Sequence, residues 1–143
     1  IYFYNLYGPK QICEGDMATV IGIFEKLFID EKPITVVKPG TQTRRFTHIY
    51  DAIKVCYEAW KRKKSLHYSI SHKKIYKIAQ VAQMFSSNVK FLPKRPGERY
   101  ASALTDMNLS NKVYKRFGKI DLKDYIEVFK KKKRINSLFN IKF

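Results

Sequence analysis

Two periods of apolar residues alternate along this chain. Residues 1–6 are apolar and aromatic enough for a strand, which Gly8-Pro9 stops. In residues 17–29, Val20, Ile21, Phe24, Leu27 and Phe28 recur at helical spacing, and Asp16 is the expected cap. Pro33 opens a new segment in which Ile34–Val37 is a short β-branched strand, turned by Pro39-Gly40. Residues 45–49 read as extended. Asp51 then stands as the cap of a helix through Ala52, Val55, Cys56, Ala59 and Trp60, which ends in the basic run 61–64.

The second half repeats the alternation. Residues 67–71 form a short strand around Tyr68 and Ile70, and residues 75–85 return to helical spacing with Ile78, Val81, Ala82 and Phe85. Val89–Leu92 is a strand ended by Pro93, and Pro96-Gly97 is a loop. A short helix is expected over 108–117, closed by Gly118. A last helix starts at Asp121 or Leu122 and runs through Tyr125, Ile126 and Phe129, while 135–143 fits either period. There is no internal repeat. Strand and helix in alternation predict an α/β fold, with a small second lobe.

Composition narrows the setting. A chain of 143 residues, 45% hydrophobic and 15% aromatic, suits one domain with a real core. The longest apolar run, residues 17–24, falls well short of the roughly 20 residues that cross a bilayer, so no membrane is expected. The opening Ile1-Tyr2-Phe3 reads as a strand already under way, so the chain is expected to be a fragment. Cys13 and Cys56 have no metal-ligand spacing, and a reducing, cytoplasmic setting is the simplest. The formal charge of +17 attracts polyanions or simply solvates the surface. Its two dense runs, 61–64 and 130–134, lack the interleaved aromatics of a base-stacking surface, which disfavours nucleic acid.

Several residues could carry chemistry. Arg44 and Arg45 follow a Gly-Thr turn, and an arginine fork grips phosphate oxygens through two bonds. Arg95, Glu98 and Arg99 flank the Pro96-Gly97 bend: the cation suits a phosphate and the carboxylate a sugar hydroxyl pair, or the two make a salt bridge across a turn. Asn5 either holds a backbone turn or binds a ligand. Two Tyr-x-x-x-Lys spacings, Tyr50 to Lys54 and Tyr57 to Lys61, match an acid–base pair, but they arise readily by chance in a chain so rich in both residues. No catalytic residue is assigned. His48, His67 and His72 make no zinc spacing, no metal is expected, and His48 reads as structural. The glycines at 8, 15, 22, 40, 97 and 118 are too dispersed for a dinucleotide fingerprint.

Three motifs in order give a sharper reading: Asn5-Leu6-Tyr7-Gly8-Pro9, then Gly40-Thr41-Gln42-Thr43-Arg44-Arg45-Phe46-Thr47-His48-Ile49-Tyr50-Asp51, then Arg95-Pro96-Gly97-Glu98. With them the whole chain, 1–143, resembles the C-terminal portion of the extended short-chain dehydrogenase/reductase family, specifically its NAD-dependent sugar-nucleotide epimerases and dehydratases. The resemblance implies the last strands and helices of a Rossmann-type NAD(P)-binding fold plus the small substrate-binding lobe. It implies that Asn5 contacts the sugar nucleotide, that Arg44 and Arg95 hold its diphosphate, and that Glu98 binds the ribose. Val36, on the edge formed by residues 34–37, flanks the base, and Phe3 and Tyr4 lie by the nicotinamide. NAD is the implied cofactor of the complete protein. A nucleotide sugar is the implied partner, with a missing N-terminal half or a second copy. Departures exist: Arg45 stands where the family usually has Asp, and Tyr50 where an acidic residue is common. The family's Gly-rich loop, catalytic Ser or Thr, and Tyr-x-x-x-Lys helix all precede the point where this chain begins. The expected reading is therefore the sugar-nucleotide-binding part of an enzyme, UDP-glucose 4-epimerase-like when complete and inactive as this chain alone. A non-catalytic binding module and a basic nucleic-acid binder are the alternatives.

Overall fold

A computed structural model describes residues 1–62, 69–94 and 118–138. The expected helix over 108–117, the Arg95–Glu98 motif and His67 lie outside the described residues.

The chain opens with two short strands, β1 (Tyr2–Phe3) and β2 (Leu6–Tyr7), where one was expected. They are separated because Asn5 takes a left-handed φ of 43°, a conformation that Asn tolerates better than most residues. Helix α1 (Val20–Ile29) starts later than the pattern suggested. Its cap is Thr19, not Asp16: the Thr19 hydroxyl accepts from the Gly22 N–H at 3.0 Å. A Cβ on Gly22 would lie 2.4 Å from the Ile12 carbonyl oxygen, so only glycine lets that segment cross the helix so closely.

Strand β3 (Ile34–Val37) alternates buried Ile34 and Val36 with half-buried Thr35 and Val37. It is followed by β4 (Thr43–Arg44) and β5 (Thr47–His48). The extended stretch expected over 45–49 is thus only two residues of strand. Helix α2 (Ile49–Arg62) begins two residues before Asp51, which is a first-turn residue and not the cap. The Asp51 carboxylate instead accepts the backbone N–H groups of Lys119 and Ile120, each at 2.9 Å, and so ties α2 to the segment before the last helix. After β6 (Ser69–Ile70), the start of the expected 75–85 helix is strand β7 (Tyr76–Lys77), and α3 covers Ile78–Phe85. Strand β8 (Val89–Leu92) lies where expected, and α4 spans Leu122–Leu138, longer than its pattern indicated.

The fold is α/β. β1 pairs with β6, β2 with β5 and β3 with β8, all parallel, and β4 pairs with β7 antiparallel. The main core gathers Ile21 and Phe24 of α1, Ile34 and Val36 of β3, Val81 and Phe85 of α3, and Leu122 and Ile126 of α4. A smaller cluster under α2 holds Ala52, Val55 and Ile70, with Leu6 and Ala59 against it. Buried Tyr7 bridges the ends of the chain: its hydroxyl donates to the Ile120 carbonyl at 3.0 Å, and its ring meets His48 and Tyr125 edge-on, both at 5.1 Å. Among the described residues, no helix is long and apolar enough to cross a membrane.

Candidate substrate-binding cleft

The turn at Asn5 is laced to the link between β4 and β5. Its side-chain amide donates to the Arg45 carbonyl at 3.1 Å, and its own carbonyl accepts from the Thr47 N–H at 3.2 Å. Arg44 on β4 is registered against Tyr76 on β7 and donates through Nη1 to the Thr43 carbonyl at 2.8 Å. The loop before β4 is fixed on α3, where the carbonyls of Gln42 and Gly40 accept from the Ile78 and Ala79 N–H groups at 2.9 and 3.0 Å. Gly40 has a φ of 77°, and a Cβ there would meet Ala79, Phe91 and Val36 at 3.0 to 3.1 Å. Glycine is therefore required both by the left-handed backbone and by the tight packing.

These ties leave a cleft of about 400 Å³ lined by Asn5, Val20, Ile23, Val36, Gln42 and Arg44, with further residues of α1 and β3. The size falls in the range of small-molecule sites, and the make-up is typical: an apolar wall with a few convergent polar groups. Three of the five sequence-assigned substrate residues, Asn5, Val36 and Arg44, meet here. Val36 is almost wholly buried, so it forms floor rather than rim. Arg95 and Glu98 lie outside the described residues. Phe3 and Tyr4 sit on and just after β1 and do not line this cleft, Phe3 being half exposed.

Residues around the cleft hold its frame. Arg45 turns away from it: its guanidinium donates to the carbonyls of His72, at 3.3 Å, and Lys73. The Thr47 hydroxyl accepts from the His72 N–H at 3.3 Å. His48 and His72 are buried, and burial holds both imidazoles below their ordinary pKa. Each is therefore neutral near pH 7, and each Nδ1 accepts a backbone N–H, from Tyr50 and Lys74 respectively, both at 3.2 Å. His48 has the structural role its sequence context suggested. In both Tyr-x-x-x-Lys spacings the lysine has a partner other than the phenol oxygen. Lys54 faces Asp51 at 3.7 Å, and the Lys61 ammonium stands 5.5 Å over the Tyr57 ring rather than beside its hydroxyl.

Sequence reasoning passed over two features. Gln42, buried and lining the cleft, stands inside a quoted motif but received no role; its amide donates to the Val37 carbonyl at 3.3 Å. The second is a partly buried relay at the base of α1. Thr19 donates to Gln11 at 2.9 Å, Gln11 donates to Glu25 at 2.9 Å, and the Tyr125 hydroxyl donates to Glu25 at 2.7 Å. No spacing announces it, because Tyr125 comes from the far end of the chain and Gln11 from the irregular segment before α1.

A model of the NAD-dependent epimerase/dehydratase family matches residues 1–79, more than half of the chain. The chain belongs to this family. Its members with solved structures share the fold. UDP-glucuronic acid 4-epimerase from Bacillus cereus, solved with UDP-glucuronic acid and NAD, is 26% identical, with a TM-score of 0.73 over 92% of this chain and 43% of that one. UDP-glucose 4-epimerase from Thermotoga maritima is 20% identical, with a TM-score of 0.74 over 91% of this chain and 45% of its own length. An epimerase from Methanothermobacter thermautotrophicus is 16% identical, with a TM-score of 0.76 over 96% and 43%. The chain thus spans less than half the length of these epimerases. No curated protein matches it significantly.

The family implies NAD. Free N–H groups at a helix start are one ready-made site for its pyrophosphate, and several such groups here are already engaged. At α1 the Gly22 N–H is taken by Thr19, at α3 those of Ile78 and Ala79 are taken by loop carbonyls, and at α2 the Tyr50 N–H is taken by His48. What the described part of this epimerase/dehydratase chain offers is a cleft beside an arginine.

Proposed function

We propose that this chain is the substrate-binding, C-terminal part of an NAD-dependent sugar-nucleotide epimerase or dehydratase, UDP-glucose 4-epimerase-like when complete. It comprises the last strands and helices of the Rossmann-type fold with the small substrate lobe. The observation that carries this reading is the convergence of Asn5, Val36 and Arg44 on one cleft, three residues from separate stretches of sequence to which the family resemblance gives substrate roles.

In this reading a nucleotide sugar lies along the cleft. Arg44 holds the diphosphate with charge-assisted bonds, joined by Arg95. Asn5 touches the sugar nucleotide, Val36 floors the base region, and Glu98 accepts from the ribose hydroxyls. Phe3 and Tyr4 face the nicotinamide in the complete protein. When bound there, NAD supplies transient oxidation of a sugar carbon, and the cytoplasmic pool supplies the nucleotide sugar. This chain binds and orients, while proton transfer belongs to the part that its relatives carry beyond the matched length. The basic nucleic-acid reading is weakened by the run 130–134, where Lys130 and Lys133 donate to internal carbonyls of Met84 and Phe28.

Calorimetric titration of the chain with UDP-glucose, UDP-glucuronic acid and dTDP-glucose tests the reading. Arg44→Ala should weaken binding about tenfold to a hundredfold, the worth of one charge-assisted contact of about 1.5–3 kcal/mol. Lys131→Ala, on an exposed face of α4, should change nothing. Equal affinity in native protein and a folded Arg44→Ala variant overturns the assignment.

A further inference from the structure

We propose that His48 and His72 are positioning residues of the cleft, each holding the segment that carries Arg44 only while its imidazole is neutral, so that acid loosens the site. This inference rests on the nucleotide-sugar reading and adds control of that site by protons. Strands β4 and β5 are only two residues each, too short to fix segment 44–50 by themselves. The two histidines close the turns on either side. His48 stands immediately before α2, and its Nδ1 accepts the Tyr50 N–H at 3.2 Å, the kind of bond an N-cap side chain makes. His72 repeats the arrangement: its Nδ1 accepts the Lys74 N–H at 3.2 Å, just ahead of β7, the partner of β4. Arg45 grips the carbonyls of His72 and Lys73, and the Thr47 hydroxyl accepts the His72 N–H, so the two turns form one unit. Asn5 hangs on that unit through the Arg45 carbonyl and the Thr47 N–H. Two cleft residues, Asn5 and Arg44, are thus placed by turns that imidazole nitrogens close.

A neutral imidazole has one acceptor nitrogen, and an imidazolium has none. Protonation at Nδ1 sets two donors face to face in each turn. At His48 it also sets a cation at the start of α2, where the helix dipole opposes it. Exposure is only 4% for His48 and 5% for His72, so water does not replace the lost bonds. Charged and titratable groups face both rings. His48 meets Asp51 and Lys54 of α2, and the rings of Tyr7, Tyr50 and Tyr125 surround it. His72 meets Asp121 ahead of α4, Asp51 of α2, its neighbours Lys73 and Lys74, and Arg45. The carboxylates favour an imidazolium, but Asp51 already holds two backbone N–H groups and Asp121 is paired with Lys74. Burial is the larger effect and keeps both rings below the ordinary 6.5. The hold is therefore complete above pH 6.5 and is lost as pH falls through the folded-state values.

Histidine-selective nitrogen NMR of the chain reads the hold directly. At pH 7.5 both rings should carry their proton on Nε2. The Tyr50 and Lys74 amide resonances should move as the rings titrate, with midpoints below 6.5. Calorimetry with UDP-glucose, whose diphosphate does not titrate in this range, reads the consequence. Affinity should fall at least about tenfold from pH 7.5 to pH 4.5. Asn offers an acceptor oxygen and does not titrate, so His48→Asn with His72→Asn should remove most of that fall, whatever its affinity at pH 7.5. A ring protonated on Nδ1 at pH 7.5, a midpoint at or above 6.5, or the full fall preserved in the double variant overturns the proposal. The nitrogen spectra need no variant, so a double variant that does not fold leaves that test intact. Native protein that binds no UDP-glucose at pH 7.5 overturns the nucleotide-sugar reading instead, and the spectra then still decide whether neutral imidazoles hold the turns.

Discussion

Glu25 is a carboxylate in an apolar setting, on the buried side of α1, with Tyr125 on one oxygen and Gln11 on the other. Burial raises its pKa above the ordinary 4.5, and the two hydrogen bonds pull the other way without cancelling it. The folded chain therefore holds this proton more tightly than the unfolded chain. The resulting stabilisation is complete below about pH 4.5 and is lost as pH rises through the folded-state value. Glu25→Gln does not titrate. Its stability relative to the native chain should rise across that window and level off above it, as read by urea unfolding at stepped pH. A difference that stays flat with pH would refute the account. Burial also pushes the phenols of Tyr7 and Tyr125 upward, so both are protonated donors at neutral pH. Single residues of the site were legible because their chemistry is local: Asn5 and Arg44 stand in motifs that can be read directly. The apolar wall was not, because Val20 and Ile23 carry the same helical spacing as any core face.

Elements depend on contacts that their own sequence does not show. Strands β4 and β7 are two residues each and pair across the register Thr43↔Lys77, too short for any alternation to appear. The start of α1 is decided by the segment over Gly22, which favours Thr19 over the equally good cap Asp16. Helix α4 shows a signal that was present but misread. The run 130–134 looks like a solvated basic face, yet positions 130 and 133 continue the inward stripe of Leu122 and Ile126. The Lys130 ammonium accordingly reaches the Met84 carbonyl at 2.8 Å and that of Lys133 reaches Phe28 at 3.0 Å, in the last turns of α3 and α1. Cations suit these helix ends, where carbonyls lack intrahelical partners. Lys133→Met keeps the apolar stem and loses the charge, so it should cost about 1–2 kcal/mol. Lys131→Met should stay within about 0.5 kcal/mol of native. Paired guanidinium denaturation curves decide this, and equal costs at both positions would return the run to a solvated face.

At the scale of the molecule, the α/β class followed from alternating periods, and the family from three motifs. Which strands pair did not follow, because parallel partners such as Tyr2 and Ser69 lie a whole crossover apart. The chain covers its relatives' fold over less than half their length. The purified chain should therefore turn over no UDP-glucose in the presence of NAD, in an assay cleared of host epimerase. Sustained turnover would refute this and redirect attention to Tyr50 and Tyr57.

The Tyr7 hydroxyl reaches Ile120 across 113 residues, and Asp51 reaches the same segment across 69. In a growing polypeptide these anchors emerge from the ribosome before their partners. Tyr7, Phe24, Val81 and Phe85 are all translated before Leu122 and Ile126 exist to cover them. Until those partners emerge, the nascent segment carries an uncovered apolar face, the kind of surface that chaperones hold.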